Sequence, residues 1–462
     1  MNDHNECSDG AVSETQSSEF PRRKSVRRLT EHLFENRNLG LLWAGQTISI
    51  AGDSVYEKAL LWLMLDLTGS SGITGIVALS AYLPSLVVGL WAGVIVDRID
   101  RRTVMIVADI ARALLVLTIP ILHVFHVLSP AVLFGITFLV ASGATFFNPA
   151  RDSLVPSLVK DRVRLLKANA IIQSSWMFAL FLGPAVALAF LQGFNVSTVD
   201  LFYIDSATFA LSLVAIWGIS VTQREVITTT ERRPITRELV EGLHAAARDV
   251  RVRWLLIITA VNNLFIMGPA SIGMAVFVRT VLDRGLGSLM LIEAMYAVGM
   301  ITGTLLLPVW RKYFNNGRIL LIGMILDGVT FIPLFWVDTL LGTCLTIIVH
   351  SMAIPLLVVA RPSIVQEIVP SRMQGRIFSM IGVTVVGFTA LSTGLTGAVA
   401  EVVSMPMIYG FIGIGAALCG VWGFTVVIMS SHRTRTSRAA ACKPSTSSRV
   451  IGRRSVVVIT SR

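Results

Sequence analysis

The feature that most constrains this chain is a series of twelve apolar segments, each about 20 residues long, that begins at Leu39. An α-helix of about 20 apolar residues crosses the hydrocarbon core of a bilayer and satisfies its own backbone hydrogen bonds there. The sequence therefore predicts an all-α polytopic membrane protein with twelve transmembrane helices. We predict these spans at 39–65, 72–96, 103–125, 129–150, 169–192, 199–221, 254–279, 288–310, 318–337, 340–361, 376–400 and 406–430.

The composition supports membrane spans over a series of soluble domains. Of the 462 residues, 54% are hydrophobic and 15% are charged, and the mean hydropathy is +0.72. Soluble domains carry about 25% charged residues. The longest polar segment between spans is 222–253, part of which has helical periodicity and is predicted to lie at the membrane surface. This segment is too short for a soluble sensor domain, so the composition argues against a receptor.

The basic residues are concentrated in alternate polar segments. The 39 Lys and Arg exceed the 28 Asp and Glu by a net charge of +11, which in a soluble protein would suggest nucleic-acid binding. Because cytoplasmic loops carry the excess of Lys and Arg, the pattern instead predicts a multi-pass cell-membrane protein with both termini cytoplasmic. Of the 39 basic residues, 35 lie in 1–38, 97–102, 151–168, 222–253, 311–318, 361–376 and 431–462. Binding of anionic lipid or nucleic acid stays open for the last of these segments alone.

Two connections resemble each other and indicate an internal repeat. NPARDSLVPSLV follows span 4 and ARPSIVQEIVPSRM follows span 10, and both contain a Val-Pro pair among apolar and acidic residues. Two six-helix halves in parallel orientation are therefore predicted. The predicted domains are a disordered basic cytoplasmic tail, an N-terminal half, a central cytoplasmic loop, a C-terminal half and a second disordered basic cytoplasmic tail, at 1–38, 39–221, 222–253, 254–430 and 431–462.

The loop between spans 2 and 3 has the sequence GVIVDRIDRR. Its glycine permits close helix approach, its first aspartate attracts the positive N-terminus of a neighbouring helix, and its arginines pair with acids. We predict that the loop gates the cytoplasmic side. An ordinary positive-inside loop is the alternative, and it accounts for the arginines but not for the glycine or the aspartate. The candidate gating residues are Gly93, Asp97, Arg98, Arg101 and Arg102.

Together with this loop, the segments LWAGQTISIAGDS, FFNPARDSLVPSLV, ANAIIQS and MQGRIFSM resemble the major facilitator superfamily, over 37–430. Within it, the chain is similar to the drug-efflux branch that includes macrolide and siderophore exporters. The resemblance implies the major facilitator fold of two pseudo-symmetric halves. It also implies a secondary active transporter that exports a small amphipathic compound by alternating access with proton coupling. The gating loop would seal the cytoplasmic side of the outward-open state.

Three positions depart from the family pattern. Asp100 stands where many members have glycine, and span 4 lacks the membrane arginine of many drug/proton antiporters. Span 5 keeps Gly183 and Pro184 but not the glycines that follow in the antiporter signature. These departures leave an alternative open, in which the chain is an uncoupled or differently coupled lysolipid or siderophore transporter.

Ionisable residues within the spans are candidates for proton or cation coupling, because each is costly in hydrocarbon. Asp53 and Glu57 lie one turn apart on one face of span 1, with Lys58 beside them to neutralise Glu57 or to extend outward. A paired structural cluster is the alternative. Asp109 and Arg112 in span 3 are three residues apart and are predicted to form an intrahelical ion pair, with a structural or gating role.

Other polar residues within spans have more ordinary predicted roles. Asp205, Glu293 and Asp327 are expected to extend toward the surface or to cap helices. His350 near the middle of span 10 is expected to hydrogen-bond within its helix, with titration near neutral pH as the alternative. Amides, aromatic rings and methionines suit an adaptable cavity. The candidate substrate-cavity residues are Asn262, Asn263, Trp62, Tyr82, Trp176 and Met267.

The sequence lacks the motifs that are typical of several other function classes. The chain has no G-x-x-x-x-G-K-[ST] phosphate loop, so it is not itself an ATP-driven pump, and it has neither H-E-x-x-H nor G-x-S-x-G. The four cysteines show no zinc spacing. We therefore predict no enzymatic activity, no catalytic residue, no metal and no cofactor. The predicted partners are a small-molecule substrate, protons and the lipid bilayer, without nucleic acid, and the chain is expected to be a monomer.

Overall fold

A computed structural model describes residues 36–96, 98–159, 162–194, 196–220 and 249–441. Within these ranges the chain forms sixteen α-helices, one π-helical turn at Pro269–Gly273 and one 3-10 turn at Ile332–Phe335. The helices are α1 Arg37–Thr68, α2 Ser71–Ser80, α3 Leu83–Val87, α4 Gly89–Val96, α5 Arg101–Val124, α6 Pro130–Leu158, α7 Arg162–Gly193, α8 Asp200–Trp217, α9 Val250–Gly268, α10 Met274–Thr280, α11 Leu286–Tyr313, α12 Asn316–Val329, α13 Leu340–Ser351, α14 Ile354–Ile368, α15 Ser371–Val399 and α16 Met405–Ala441.

The twelve predicted spans are confirmed, since each coincides with one helix or with consecutive helices. Spans 2, 7, 9 and 10 are broken: α2 to α4 form span 2, α9 and α10 form span 7, α12 and the 3-10 turn form span 9, and α13 and α14 form span 10. Nine helical stretches in the described residues are long and apolar enough to cross a membrane. Proline accounts for much of the breakage, because it removes a backbone donor and clashes with the preceding turn.

The turn between α1 and α2 shows how the sequence ends one helix and begins the next. Gly69 follows α1 with a φ of +64°, a conformation that residues with a Cβ rarely adopt, and its N–H donates to the Leu65 carbonyl. Ser70 then caps α2, and its hydroxyl accepts from the Ile73 N–H.

The connection after span 4 is shorter than predicted. α6 continues to Leu158 and α7 begins at Arg162, so most of the predicted loop 151–168 is helical. Leu154 and Val155 are buried and supply a packing surface that continues the helix past the predicted end of the span. The predicted surface helix within 222–253 lies largely outside the described residues, as do most of both predicted tails.

The chain divides into two compact units that differ from the predicted sequence halves. Unit 1 contains spans 1 to 6 together with Gly268–Val298 and Thr389–Ser404, and unit 2 contains the rest of spans 7 to 12. Within unit 1, α1 packs against α7 and α8, and α5 packs against α6 and α8. Within unit 2, α12 packs against α14 and α16. Each unit has its own apolar core.

Candidate functional site

A cavity of about 210 Å³ lies inside unit 1 and combines charged, aromatic and small apolar side chains. It is lined by residues of α1, α2, α5 and α6, by the turn after α2 and by the π-helical turn. The lining residues are Asp53, Tyr56, Glu57, Leu60, Leu61, Ala78, Ala81, Tyr82, Arg112, Thr137, Val140, Ala141, Ala144 and Ser271. Three of the four predicted coupling residues, Asp53, Glu57 and Arg112, therefore meet at one cavity.

Arg112 forms an ion pair with Asp53 of α1. The Arg112 side chain is 5% exposed and that of Asp53 is 36% exposed, so the carboxylate reaches the cavity while the guanidinium is buried. The guanidinium lies 4.1 Å from the centroid of the Phe209 ring. This stacking and the ion pair hold a cation in the apolar interior of unit 1.

The predicted ion pair between Asp109 and Arg112 is wrong. Neither carboxylate oxygen of Asp109 has a hydrogen-bond partner of standard geometry among the described residues, although the Ser212 hydroxyl lies nearby. Gly143 of α6 explains the difference, because a Cβ there would overlap the Arg112 methylenes. The glycine leaves room for the arginine stem, and the guanidinium reaches across to α1.

A second charged cluster surrounds Lys58, which is 11% exposed. Its ammonium lies 3.2 Å from a carboxylate oxygen of Glu57 and 3.2 Å from one of Glu293 in α11. Ser271 in the π-helical turn donates to Glu57 at 3.1 Å. Lys58 thus neutralises Glu57, which was one of the two roles that the sequence allowed for this lysine. The expectation that Glu293 extends toward the surface is wrong, since its side chain is 15% exposed and paired.

Tyr82 is the one predicted substrate-cavity residue that lines this cavity. Trp62 is buried beside Arg279, Trp176 is 43% exposed and Met267 is half-buried. Their contacts with a substrate stay predictions. Tyr56, which sequence reasoning missed, also lines the cavity, and its hydroxyl lies 3.0 Å from Thr137 Oγ1.

Asn262 and Asn263 lie in unit 2, where both side chains are buried. The Asn262 amide donates to Asp327 Oδ2 at 2.9 Å, and the Asn263 amide donates to the Thr259 carbonyl at 2.7 Å. Each amide therefore bonds to the protein itself. Their predicted contact with a substrate stays a prediction.

The predicted gating loop is described in part, because Asp97 lies outside the described residues. Apart from its chain neighbours and the backbone of its own helix, no described atom lies within 4 Å of a Cβ placed on Gly93, so the expected close approach of another helix is not found among the described residues. Arg98 is exposed and Arg101 is half-buried. Arg102 donates to the carbonyls of Ile216 and Trp217 at 3.2 and 2.6 Å, where a cation favours the C-terminal end of α8.

Asp100, the departure from the family pattern in this loop, caps α5. Its carboxylate accepts from the N–H and the hydroxyl of Thr103, both at 2.9 Å. An acid at this position satisfies backbone donors at the first turn of the helix.

The family follows from a comparison with known proteins. The model of the Major Facilitator Superfamily matches residues 42–382, which include most of the twelve spans. The chain belongs to the Major Facilitator Superfamily. It is accordingly a multi-pass membrane transporter and not an enzyme. The cavity in unit 1 is therefore the candidate transport site of a major facilitator protein.

Several relatives of this superfamily member are named for efflux or export. Macrolide efflux protein A of Streptococcus pyogenes is 26% identical over 349 residues, covering 74% of this chain and 84% of the relative. The multidrug efflux pump Tap of Mycolicibacterium fortuitum is 25% identical over 394 residues, covering 82% and 93%. The putative bacilysin exporter BacE of Bacillus subtilis is 24% identical over 409 residues, covering 87% and 97%.

Solved structures agree on the fold. The nucleoside transporter NupG matches with a TM-score of 0.67 at 12% identity, covering 84% of this chain and 99% of that chain. A transporter of the POT family matches with a TM-score of 0.65 at 14% identity, covering 86% and 96%. At such identities the match shows the major facilitator fold alone.

Proposed function

We propose that this protein is a proton-coupled secondary transporter that exports a small amphipathic compound across the cell membrane by alternating access, with both termini cytoplasmic. The observation that carries the proposal is the cavity in unit 1, where the Asp53–Arg112 pair lies among apolar and aromatic side chains. The relatives named for macrolide efflux and multidrug efflux support export.

The cavity favours a compound with a positive charge. The carboxylates of Asp53 and Glu57 are 36% and 48% exposed, whereas the neighbouring cations are almost fully buried. A ligand in the cavity therefore meets negative oxygens before it meets positive nitrogens. The Tyr82 ring and the leucines of α1 complement an apolar body.

Competition at Asp53 would couple the compound to the proton. A proton on Asp53 removes the negative charge that holds Arg112 and that attracts a cationic ligand. The proton and the ligand then occupy the cavity in alternation, which is the requirement for antiport. Differential affinity of the two conformations for the proton would shift the population between them.

Transport by purified protein in liposomes tests the proposal. With an imposed pH gradient and no ATP, a cationic amphipathic dye should accumulate, and Asp53→Asn should reduce the gradient-driven rate by tenfold or more, since one charge interaction at a partly buried site is worth about 1.4 kcal/mol or more. Asp66→Asn is the matched control, because Asp66 pairs with Arg279 and is not among the residues that line the cavity.

Two outcomes would count against the proposal. If a pH jump changes dye transport by neither wild type nor Asp53→Asn while both move dye, the transporter is uncoupled from protons, as the alternative of a lysolipid or siderophore transporter allows. The cavity surface of α6 favours that alternative, since its lining residues Thr137, Val140, Ala141 and Ala144 carry no charge. If no dye, macrolide or siderophore moves, export of such compounds is wrong.

A further inference from the structure

Unit 2 contains a buried polar cluster that the proposed transport cycle does not use. Asp327 of α12 and His350 of α13 lie at its centre, with side chains 1% and 2% exposed. Asn262 of α9 and Arg361 of α14 also face Asp327. Four helices thus contribute polar groups to one point of an apolar bundle. Because such groups are costly in a membrane protein, their convergence indicates a function.

The hydrogen-bond partners of Thr330 allow a tautomer to be assigned to the His350 imidazole. The Thr330 hydroxyl donates to the Leu326 carbonyl at 2.6 Å, so its oxygen is an acceptor at 3.0 Å from His350 Nδ1. We assign the hydrogen of the neutral ring to Nδ1, because the Thr330 hydroxyl already donates to Leu326. The backbone of Asp327 is a further hydrogen-bond partner of the ring. In the neutral ring Nε2 is then a lone-pair acceptor.

Nε2 faces a carboxylate oxygen that is also an acceptor. His350 Nε2 lies 3.6 Å from Asp327 Oδ1, and Oδ1 has no hydrogen bond among the described residues. The other oxygen, Oδ2, accepts from Asn262. Two facing acceptors repel, and one proton between them replaces the repulsion by a charge-assisted hydrogen bond.

We propose that Asp327 and His350 form a proton-binding site within unit 2. One proton taken up from water is shared between Asp327 Oδ1 and His350 Nε2, which raises the charge of the cluster by one. No bond other than those to the proton forms or breaks. The site is separate from the Asp53–Arg112 pair of unit 1 and is independent of the compound that the protein exports.

Arg361 opposes the proton and favours its release. Its positive charge acts on Asp327, and its Nε is buried without a hydrogen-bond partner among the described residues. A cation beside a carboxylate competes with a proton for it. On the side of α16, the titratable group is Tyr409, whose ring stacks on Phe331 at 5.4 Å, and Phe331 in turn contacts the imidazole. No acidic side chain other than Asp327 faces His350 from these described helices, so the proton is held by this one pair.

Nitrogen NMR on the full-length protein in lipid tests the site. The chain has seven histidines, and a variant that retains His350 alone, with the other six changed to glutamine, makes the side-chain signal unambiguous. Nε2 should change from an unprotonated to a protonated signal as the pH is lowered between about 9 and 4. In Asp327→Asn the ring should bind its proton at least tenfold more weakly, and in Arg361→Gln more tightly.

Asp205→Asn serves as the control, because Asp205 is a fully buried acid of unit 1. It should leave the His350 titration unchanged. An Nε2 signal that stays the same over the whole pH range would overturn the proposal, as would equal titration in wild type and Asp327→Asn. If Asp327→Asn does not fold, Arg361→Gln still tests the proposal, because there the His350 ring should bind its proton more tightly than in wild type. The readout needs no transported compound, so a failure of the proposed export activity leaves this result intact.

Discussion

Arg112 of α5 forms its ion pair with Asp53 of α1 and not with Asp109, which precedes it by one helical turn. The ion pair with Asp53 places the buried Arg112 guanidinium against a carboxylate that reaches the cavity. Protonation or substitution of that one carboxylate therefore changes the electrostatics of the interior of unit 1 as well as of the cavity. Asp109 is also buried and lies close enough to Arg112 to interact with it electrostatically.

Arg112→Gln should destabilise the protein by about 1–3 kcal/mol, because it removes a charged hydrogen bond and the contact with Phe209. Thermal unfolding of the purified protein in detergent, followed by tryptophan fluorescence, measures the loss. The matched control is Arg279→Gln. Arg279 also pairs with an aspartate, Asp66, but both side chains are a third or more exposed, so the cost should stay below about 1 kcal/mol. Equal losses of stability in the two variants would contradict the expectation that burial makes the Arg112 side chain more important for stability than that of Arg279.

Asp109→Asn should leave the stability unchanged or raise it, because the substitution removes a buried carboxylate that makes no hydrogen bond of standard geometry to the residues that the structure describes. In an Asp53→Asn background the same substitution should destabilise, since Arg112 has then lost its ion-pair partner and Asp109 is an acid that remains close to it. A four-variant cycle of unfolding temperatures measures this coupling. Additive effects of the two substitutions would show that Asp109 does not take over the role of Asp53.

The twelve spans were predictable because they depend on local properties of the sequence. Apolar length fixes where a helix crosses the membrane, and this held even for span 2, which is divided into α2, α3 and α4. Asp53 and Glu57 were also predictable as a pair on one face, because helical spacing places them there.

Partners between helices were not predictable in the same way. Asp109 was the nearer candidate for Arg112 in sequence, whereas the pairing with Asp53 depends on packing between helices, including the space that Gly143 leaves for the arginine stem. Glu293 and Ser271 were missed as neighbours of Glu57 and Lys58 because more than two hundred residues separate them in sequence. A buried lysine does require a counter-charge, so Lys58 was a signal that another acid lay nearby.

Lys58→Met should destabilise the protein by about 3 kcal/mol, since it leaves Glu293 buried without its counter-charge. In the Lys58→Met background, a second substitution of either Glu57 or Glu293 by glutamine should restore part of the lost stability. The two substitutions should restore different amounts. Glu293→Gln should restore more than Glu57→Gln, because the Glu57 carboxylate is half-exposed and solvated while that of Glu293 is buried. Unfolding temperatures of the three variants at neutral pH provide the comparison. Equal restoration by both acids, or none, would contradict the asymmetry.

Glu401 joins the start of α2 to the segment after α15 within unit 1. Its carboxylate accepts from the Ser70 hydroxyl at 2.5 Å and from the Gly72 N–H at 2.7 Å. These hydrogen bonds lower the pKa of Glu401 below its ordinary value of 4.5, and the bond from Ser70 has the largest effect. Because the folded protein holds the pKa lower than the unfolded chain does, the contact stabilises above about pH 4.5 and is lost as the pH falls through the lower folded value.

Hydrogen exchange at the Gly72 amide should report this loss. After correction for intrinsic exchange rates, protection at Gly72 should be constant near neutral pH and should decline below about pH 4.5, whereas in Glu401→Gln it should be lower and independent of pH. The Thr103 amide, which donates to Asp100, is the internal control and should be the same in both proteins. If Gly72 stays equally protected in Glu401→Gln, the carboxylate does not hold the start of α2. If protection falls as expected, the junction between α2 and the end of α15 opens with acid, and the transport rate at low pH can then be compared between wild type and Glu401→Gln.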